Sequence, residues 1–120
     1  MKLSRGILMD SDLIERALVA GIEGKKVLYA CRSGEKARLA LEMFDYLRPE
    51  FPEIVKVLRS NMSVWFESGG NIRLMSATSY AGRGFIADLL CLDGVTDERA
   101  LASLLPCAAG GGEIASAEYI

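Results

Sequence analysis

The sequence has no histidine, and its three cysteines, Cys31, Cys91 and Cys107, show no C-x-x-C spacing. A structural zinc site has no ligand set to draw on. An odd cysteine count excludes a closed secreted disulfide framework and points to a reducing compartment. Cys31 and Cys91 stand in apolar runs, where a free thiol behaves as a small hydrophobe, which leaves Cys107 as the cysteine expected to be accessible. Its neighbours offer no charge that would activate it. No uninterrupted apolar run approaches the ~18 residues of a membrane span, and residues 1–10 lack the long apolar core of a signal peptide. The expectation is a soluble cytoplasmic protein with no membrane partner. Basic excess is missing too: 14 Lys and Arg face 16 Asp and Glu, a formal charge of -2. No global field would hold a nucleic-acid backbone. What remains is 120 residues, 51% of them apolar, enough for one domain with one substantial core.

Helical and strand periods alternate along the chain. Leu13, Ile14, Ala17 and Leu18 give residues 12–20 one apolar helical face, with Asp12 and Glu15 spaced as a capping box and Gly21 or Gly24 as the stop. Val27-Leu28-Tyr29-Ala30-Cys31 is a continuous apolar run suited to a strand covered on both faces. Ser33 then caps a helix over residues 35–47, in which Ala37, Ala40, Leu41, Phe44 and Leu47 recur at helical spacing before Pro49 and Pro52. Residues 54–58 read as a further strand. Segments 64–67 and 72–76 flank Ser68-Gly69-Gly70-Asn71 and read as a β-hairpin. Residues 89–92 form a second fully apolar run. After it, Thr96 is positioned to cap a helix with Leu101, Leu104 and Leu105 on its buried face and Pro106 as its stop. A small, flexible linker over residues 108–112 precedes a last strand at 113–117. The order predicts an α/β fold: a three-layer, mostly parallel sheet with an inserted antiparallel hairpin.

The chain is organised around residues 80–93, where a Gly82-Arg83-Gly84 turn leads into the apolar run that ends in Asp93. This places a carboxylate at the C-terminal tip of a buried strand, the edge at which parallel α/β sheets bind ligands. Arg32-Ser33 and Thr78-Ser79 fall at neighbouring tips. Arg32, Ser33, Gly34 and Lys36 form a candidate anion site at a helix start, with Ser33 as a plain cap and Lys36 as a solvated charge in the alternative. Arg83 is a candidate phosphate contact or the partner of Asp88 or Asp93, and Asp93 is a candidate Mg²⁺ ligand or an inherited structural acid. Trp65 and Phe66 point to opposite faces of the hairpin, so one of them, with Tyr80 and Phe85, is a candidate partner surface; the other reading buries the tryptophan.

The strand and turn of Val27-Leu28-Tyr29-Ala30-Cys31-Arg32-Ser33-Gly34, the glycine hairpin, the Ser76-Ala77-Thr78 and Gly82-Arg83-Gly84 segments, and Asp88-Leu89-Leu90-Cys91-Leu92-Asp93 together resemble the ATPase core of phage terminase large subunits. The resemblance covers roughly residues 25–120 and extends to a counterpart of the coupling strand at 113–117. It implies a P-loop NTPase-like fold and matches Asp93 to the Mg²⁺-binding acid of the Walker B motif. Two departures follow. No G-x-x-x-x-G-K-[ST] occurs in the chain, and Gly94 stands where that family's catalytic glutamate would be. The resemblance therefore implies a catalytically inactive phage or prophage protein, without a cofactor, that binds a host or phage protein or a second copy of itself. The alternatives are a nucleotide-binding or weakly hydrolytic protein that takes Mg-ATP at an altered site, and a nucleic-acid-binding module with a basic strip of Arg32, Lys36, Arg38, Arg73 and Arg83.

Overall fold

A computed structural model describes residues 11–77 and 85–117. The first apolar run forms β1 (Lys26–Cys31), buried at every position after Lys26, and the second forms β5 (Leu89–Asp93), buried throughout. Strands of this kind need cover on both faces. Their side chains alternate, so Val27, Tyr29 and Cys91 point one way and Leu28, Ala30, Leu90 and Leu92 the other. Helices α1 (Ser11–Ile22) and α2 (Gly34–Leu47) cover the first face. Leu13, Ile14, Ala17 and Leu18 of α1, and Ala37, Ala40, Leu41, Phe44 and Leu47 of α2, enter that core. The second face is covered in part by α3 (Glu98–Leu104) and the 3₁₀ turn Leu105–Ala108, through Ala100, Leu104, Cys107 and Ala108.

Four further strands, β2 (Ile54–Leu58), β3 (Ser63–Phe66), β4 (Asn71–Ser76) and β6 (Glu113–Ala117), complete a sheet of order β2-β3-β4-β1-β5-β6 among the described residues. β4, β1, β5 and β6 are mutually parallel, and β3 runs antiparallel to both neighbours. The fold is the mixed α/β, three-layer sheet with a hairpin that the alternation of periods predicts. Among the described residues no helix is long and apolar enough to cross a membrane.

Several details differ from the sequence reading. Asp12 sits in the first turn of α1, and of the two glycines offered as its stop Gly21 lies inside the helix while Gly24, at φ 89°, follows its end. A Cβ at Gly21 would fall on the ring of Phe66, and one at Gly70 would fall on the carbonyl oxygen of Gly21. The Ser68 hydroxyl donates to that same carbonyl at 2.8 Å and accepts from the Gly70 N–H at 3.1 Å. The hairpin turn is thereby latched to the end of α1, an approach only glycine permits. At the other end of the chain, Asp97 and not Thr96 caps α3, accepting from the Ala100 N–H at 2.9 Å. Pro106 does not stop the chain's coiling. It occupies the opening turn of the 3₁₀ segment, where its fixed φ fits and its missing N–H costs nothing. Leu105 turns outward, and Cys107 is buried against the second face, contrary to the accessibility expected of it. The 108–112 stretch is not a loose linker: Gly112 N–H donates to Ala108 O at 3.0 Å, and Ala87 N–H to Cys107 O at 2.8 Å.

The latch gives a direct test. Gly70→Ala forces a methyl group against backbone and should lower unfolding free energy by about 1–3 kcal/mol, read as a shift of the urea midpoint with the slope unchanged.

Candidate functional site

The C-terminal ends of β4, β1 and β5 lie side by side, because Cys31 is in register with Ser76 on one flank and with Asp93 on the other. Backbone bonds continue the alignment past the strands: Arg32 N–H donates to Asp93 O at 3.2 Å, and Ala77 N–H to Cys31 O at 2.6 Å. A cavity of about 240 Å³ opens at this edge, lined by Arg32, Ala77, Gly94 and Asp97 among others. The ligand crevice expected of the fold is therefore present, and of the described candidate residues Arg32 lines it while Ser33, Gly34, Lys36 and Asp93 do not.

Asp93 shares a face with Cys31, the face beneath α2, and its side chain is only 2% exposed. The Tyr29 hydroxyl donates to its Oδ2 at 2.7 Å. Tyr29 pairs with Cys91, two residues before Asp93 on the same side of the strand, so its ring lies along the sheet under α2 and meets Phe44 edge-on at 6.2 Å. Burial pushes the Tyr29 phenol far above its usual range, and the Asp93 charge and hydrogen bond raise it further. The Cys31 thiol is raised by burial and then by Asp93, with Lys36 opposing, and burial pushes Cys91 up to about 12. The carboxylate at the strand tip is thus engaged inside the core. Among the described residues no group of three or more Cys, Asp or Glu side chains is arranged to hold a metal ion.

Ser33 caps α2: its Oγ accepts from the Lys36 N–H at 3.2 Å. Arg32 is exposed at the cavity, whereas Ser33, Gly34 and Lys36 belong to the start of α2, outside the cavity lining. Gly94 has φ 71°, the left-handed region, so a glutamate in that backbone geometry would be strained. Arg83 and Tyr80 lie outside the described residues.

The aromatic candidates divide as strand alternation requires. Phe66 is 3% exposed and packs into the core by Gly21, so it is not part of a surface. Trp65, at 36%, faces the opposite side and shares a groove of about 610 Å³ with Lys26, Asn71, Arg73, Phe85 and Ile86. The basic strip does not form as expected. Arg73 is in register with Leu28 and faces this groove, while Arg38 is carried by α2 on the other side of the sheet. Sequence reasoning missed Tyr29 as the partner of Asp93. A tyrosine within an otherwise aliphatic strand is the signal that a buried polar partner must exist. It also missed Lys26 and Asn71, which join the groove only through strand register.

This architecture, a mixed sheet with helices on both faces and a hairpin beside the central strands, has a counterpart among solved structures. The crystal structure of the HK97 bacteriophage large terminase matches 98% of this chain with a TM-score of 0.69 at 15% sequence identity. The chain spans 28% of that terminase chain's length. Its fold is terminase-like. No protein-family model and no curated protein matches the sequence.

Two measurements test the buried pair and the thiols. Tyr29→Phe removes the hydroxyl that donates to the buried Asp93 carboxylate and should cost about 1–3 kcal/mol at neutral pH. Because folding raises the Tyr29, Cys31 and Cys91 pKa values, the unfolded chain releases these protons first. Their contribution is whole below the ordinary thiol and phenol values, roughly 8.5 and 10, and is lost as pH climbs beyond them toward the raised ones. The urea midpoint should hold from neutral pH to about 8 and then fall, less steeply above about 10 in Tyr29→Phe. Burial also raises the Cys107 thiol. All three buried cysteines should react with a thiol reagent only as fast as the protein opens, and rapid labelling of Cys107 in the native state would contradict its placement.

Proposed function

We propose that this chain is a phage or prophage protein with a terminase-like scaffold that works in the cytoplasm by binding a protein partner, not by hydrolysing a nucleotide. The observation that carries the reading is the engagement of Asp93 by Tyr29 within the core. An acid that holds Mg²⁺ at a strand tip has to face the ligand, and such sites add substrate phosphates to complete the coordination sphere. Here the side chain points under α2, while the crevice beside it presents Arg32 and the Asp97 cap. Two sequence features agree: the phosphate-loop motif is absent from the chain, and Gly94 takes the position of the acid that would activate water. Phosphoryl transfer depends on positioning and charge stabilisation, and each feature removes one of these supports. The partner is another protein of host or phage, or a second copy of the chain.

Calorimetric titration with ATP and ADP, with and without Mg²⁺, tests the reading. No saturable heat is expected at millimolar nucleotide. Saturable, magnesium-dependent binding that disappears in Asp93→Asn would replace the proposal with an altered nucleotide site. Gly94→Glu is expected to lose about 1–3 kcal/mol of stability through backbone strain and to gain no hydrolysis, followed by release of phosphate.

A further inference from the structure

The helices cover one face of the sheet from end to end; among the described residues, α3 and the 3₁₀ turn cover the other over β1, β5 and the Met75 end of β4. Over β4, β3 and β2 that second face carries a row of side chains set by register. Lys26 pairs with Asn71, Asn71 with Trp65, and Trp65 with Lys56, so the row crosses four strands with a cation at each end. The next row places Arg73 beside Ser63. Trp65 is held in one orientation: its indole N–H donates to Ser63 Oγ at 2.9 Å, and the Ser63 hydroxyl donates to Asn61 Oδ1 at 2.6 Å. Phe85 and Ile86 form the apolar wall of the groove, and Ile86 is 74% exposed.

Charge is what selects the occupant. Among the described residues no acidic side chain lines the groove and no salt bridge neutralises Lys26, Lys56 or Arg73. This basic groove lies on a chain whose formal charge is -2. An anionic ligand is complementary to it. Two observations favour a peptide over a nucleic-acid strand. The Lys56 ammonium already lies over the Trp65 ring, 5.7 Å from its centroid, so a base has no bare platform on that face. Of the two apolar wall residues, Phe85 is partly buried against the core, and the exposed one, Ile86, is aliphatic and fits a branched apolar residue better than a planar base.

We infer that this groove is the docking surface of an acidic peptide segment that also carries apolar side chains. Aspartates or glutamates meet Lys26, Lys56 and Arg73 at the rim, and an apolar residue enters between Trp65, Phe85 and Ile86. The Asn71 and Asn61 amides stand ready to bond the peptide backbone. A ligand here finds Trp65 already ordered, so little side-chain entropy is lost on binding. The inference rests on the reading that the chain works through a protein partner. Its test is separate from the nucleotide titration, so either can fail without the other.

The probe is a fluorescein-labelled ten-residue peptide of alternating glutamate and leucine, followed by anisotropy at low salt against the full chain. A lysine–leucine peptide and a ten-nucleotide oligothymidylate serve as comparisons. Saturable binding of the acidic peptide is expected, together with a change in the emission of Trp65, the only tryptophan. Trp65→Ala and Arg73→Glu should each weaken it about tenfold or more, and Arg38→Glu on the opposite face should leave it unchanged. Absence of binding overturns the inference, as does binding that both groove variants retain. Tighter binding of the oligothymidylate, lost in the same two variants, overturns the ligand class and makes the groove a nucleic-acid site.

Discussion

A carboxylate enclosed between two central strands must be met by a donor, and the Tyr29 hydroxyl meets Asp93 at 2.7 Å. Much of the molecule follows from this bond. It requires β1 and β5 to be neighbours in parallel register, with Tyr29 and Asp93 on one face. It sets the tyrosine ring along the sheet, and α2 then closes over it with Phe44 edge-on. Desolvation raises the nearby Cys31 and Cys91 thiols as well, so they stay protonated alongside the tyrosine. Asp93 is thus an internal tie between two central strands.

The two sides of the sheet have accordingly separated in character. Under α1 and α2 lies the larger apolar core, with the acid sealed into it. The described residues cover the other side in part, and the groove on the remainder is polar, basic and aromatic. The crevice at the strand tips is small, and the start of α3 that borders it is already capped by Asp97. The larger groove of the two lies on the face of the sheet and the smaller cavity at its edge. The fold is shared with the HK97 large terminase at 15% identity, and a shared fold leaves open what its surfaces present.

Most of the fold was legible because it rests on short-range signals. The five buried positions of α2, the unbroken apolar runs of β1 and β5, and the glycine turn of the hairpin are each contained within a few neighbouring residues. Two neighbouring residues able to cap α3 could not be separated in this way, since Thr96 and Asp97 are both competent and tertiary placement decides between them. Pro106 reads as a stop whether it ends a helix or opens a 3₁₀ turn. The candidate site was less legible for the same reason. Tyr29 and Asp93 stand 64 positions apart, and the Lys26, Asn71, Trp65, Lys56 row exists only once four strands have taken their register. Alternation alone did show that Trp65 and Phe66 must part company, but not which of them faces the core. The docking of α1 over the hairpin decides that.

The contact between Gly21 and the hairpin turn carries a mechanical meaning. α1 ends against Phe66, Ser68 and Gly70, and the strands on either side of that turn hold Trp65 and Asn71. No cushion of side chains separates helix from turn, so the two move as a single lever. Local opening of the hairpin must lift the end of α1, and fraying of α1 must loosen the floor of the groove, which makes them one cooperative unit in hydrogen exchange. Whatever grips the helix thereby grips the groove.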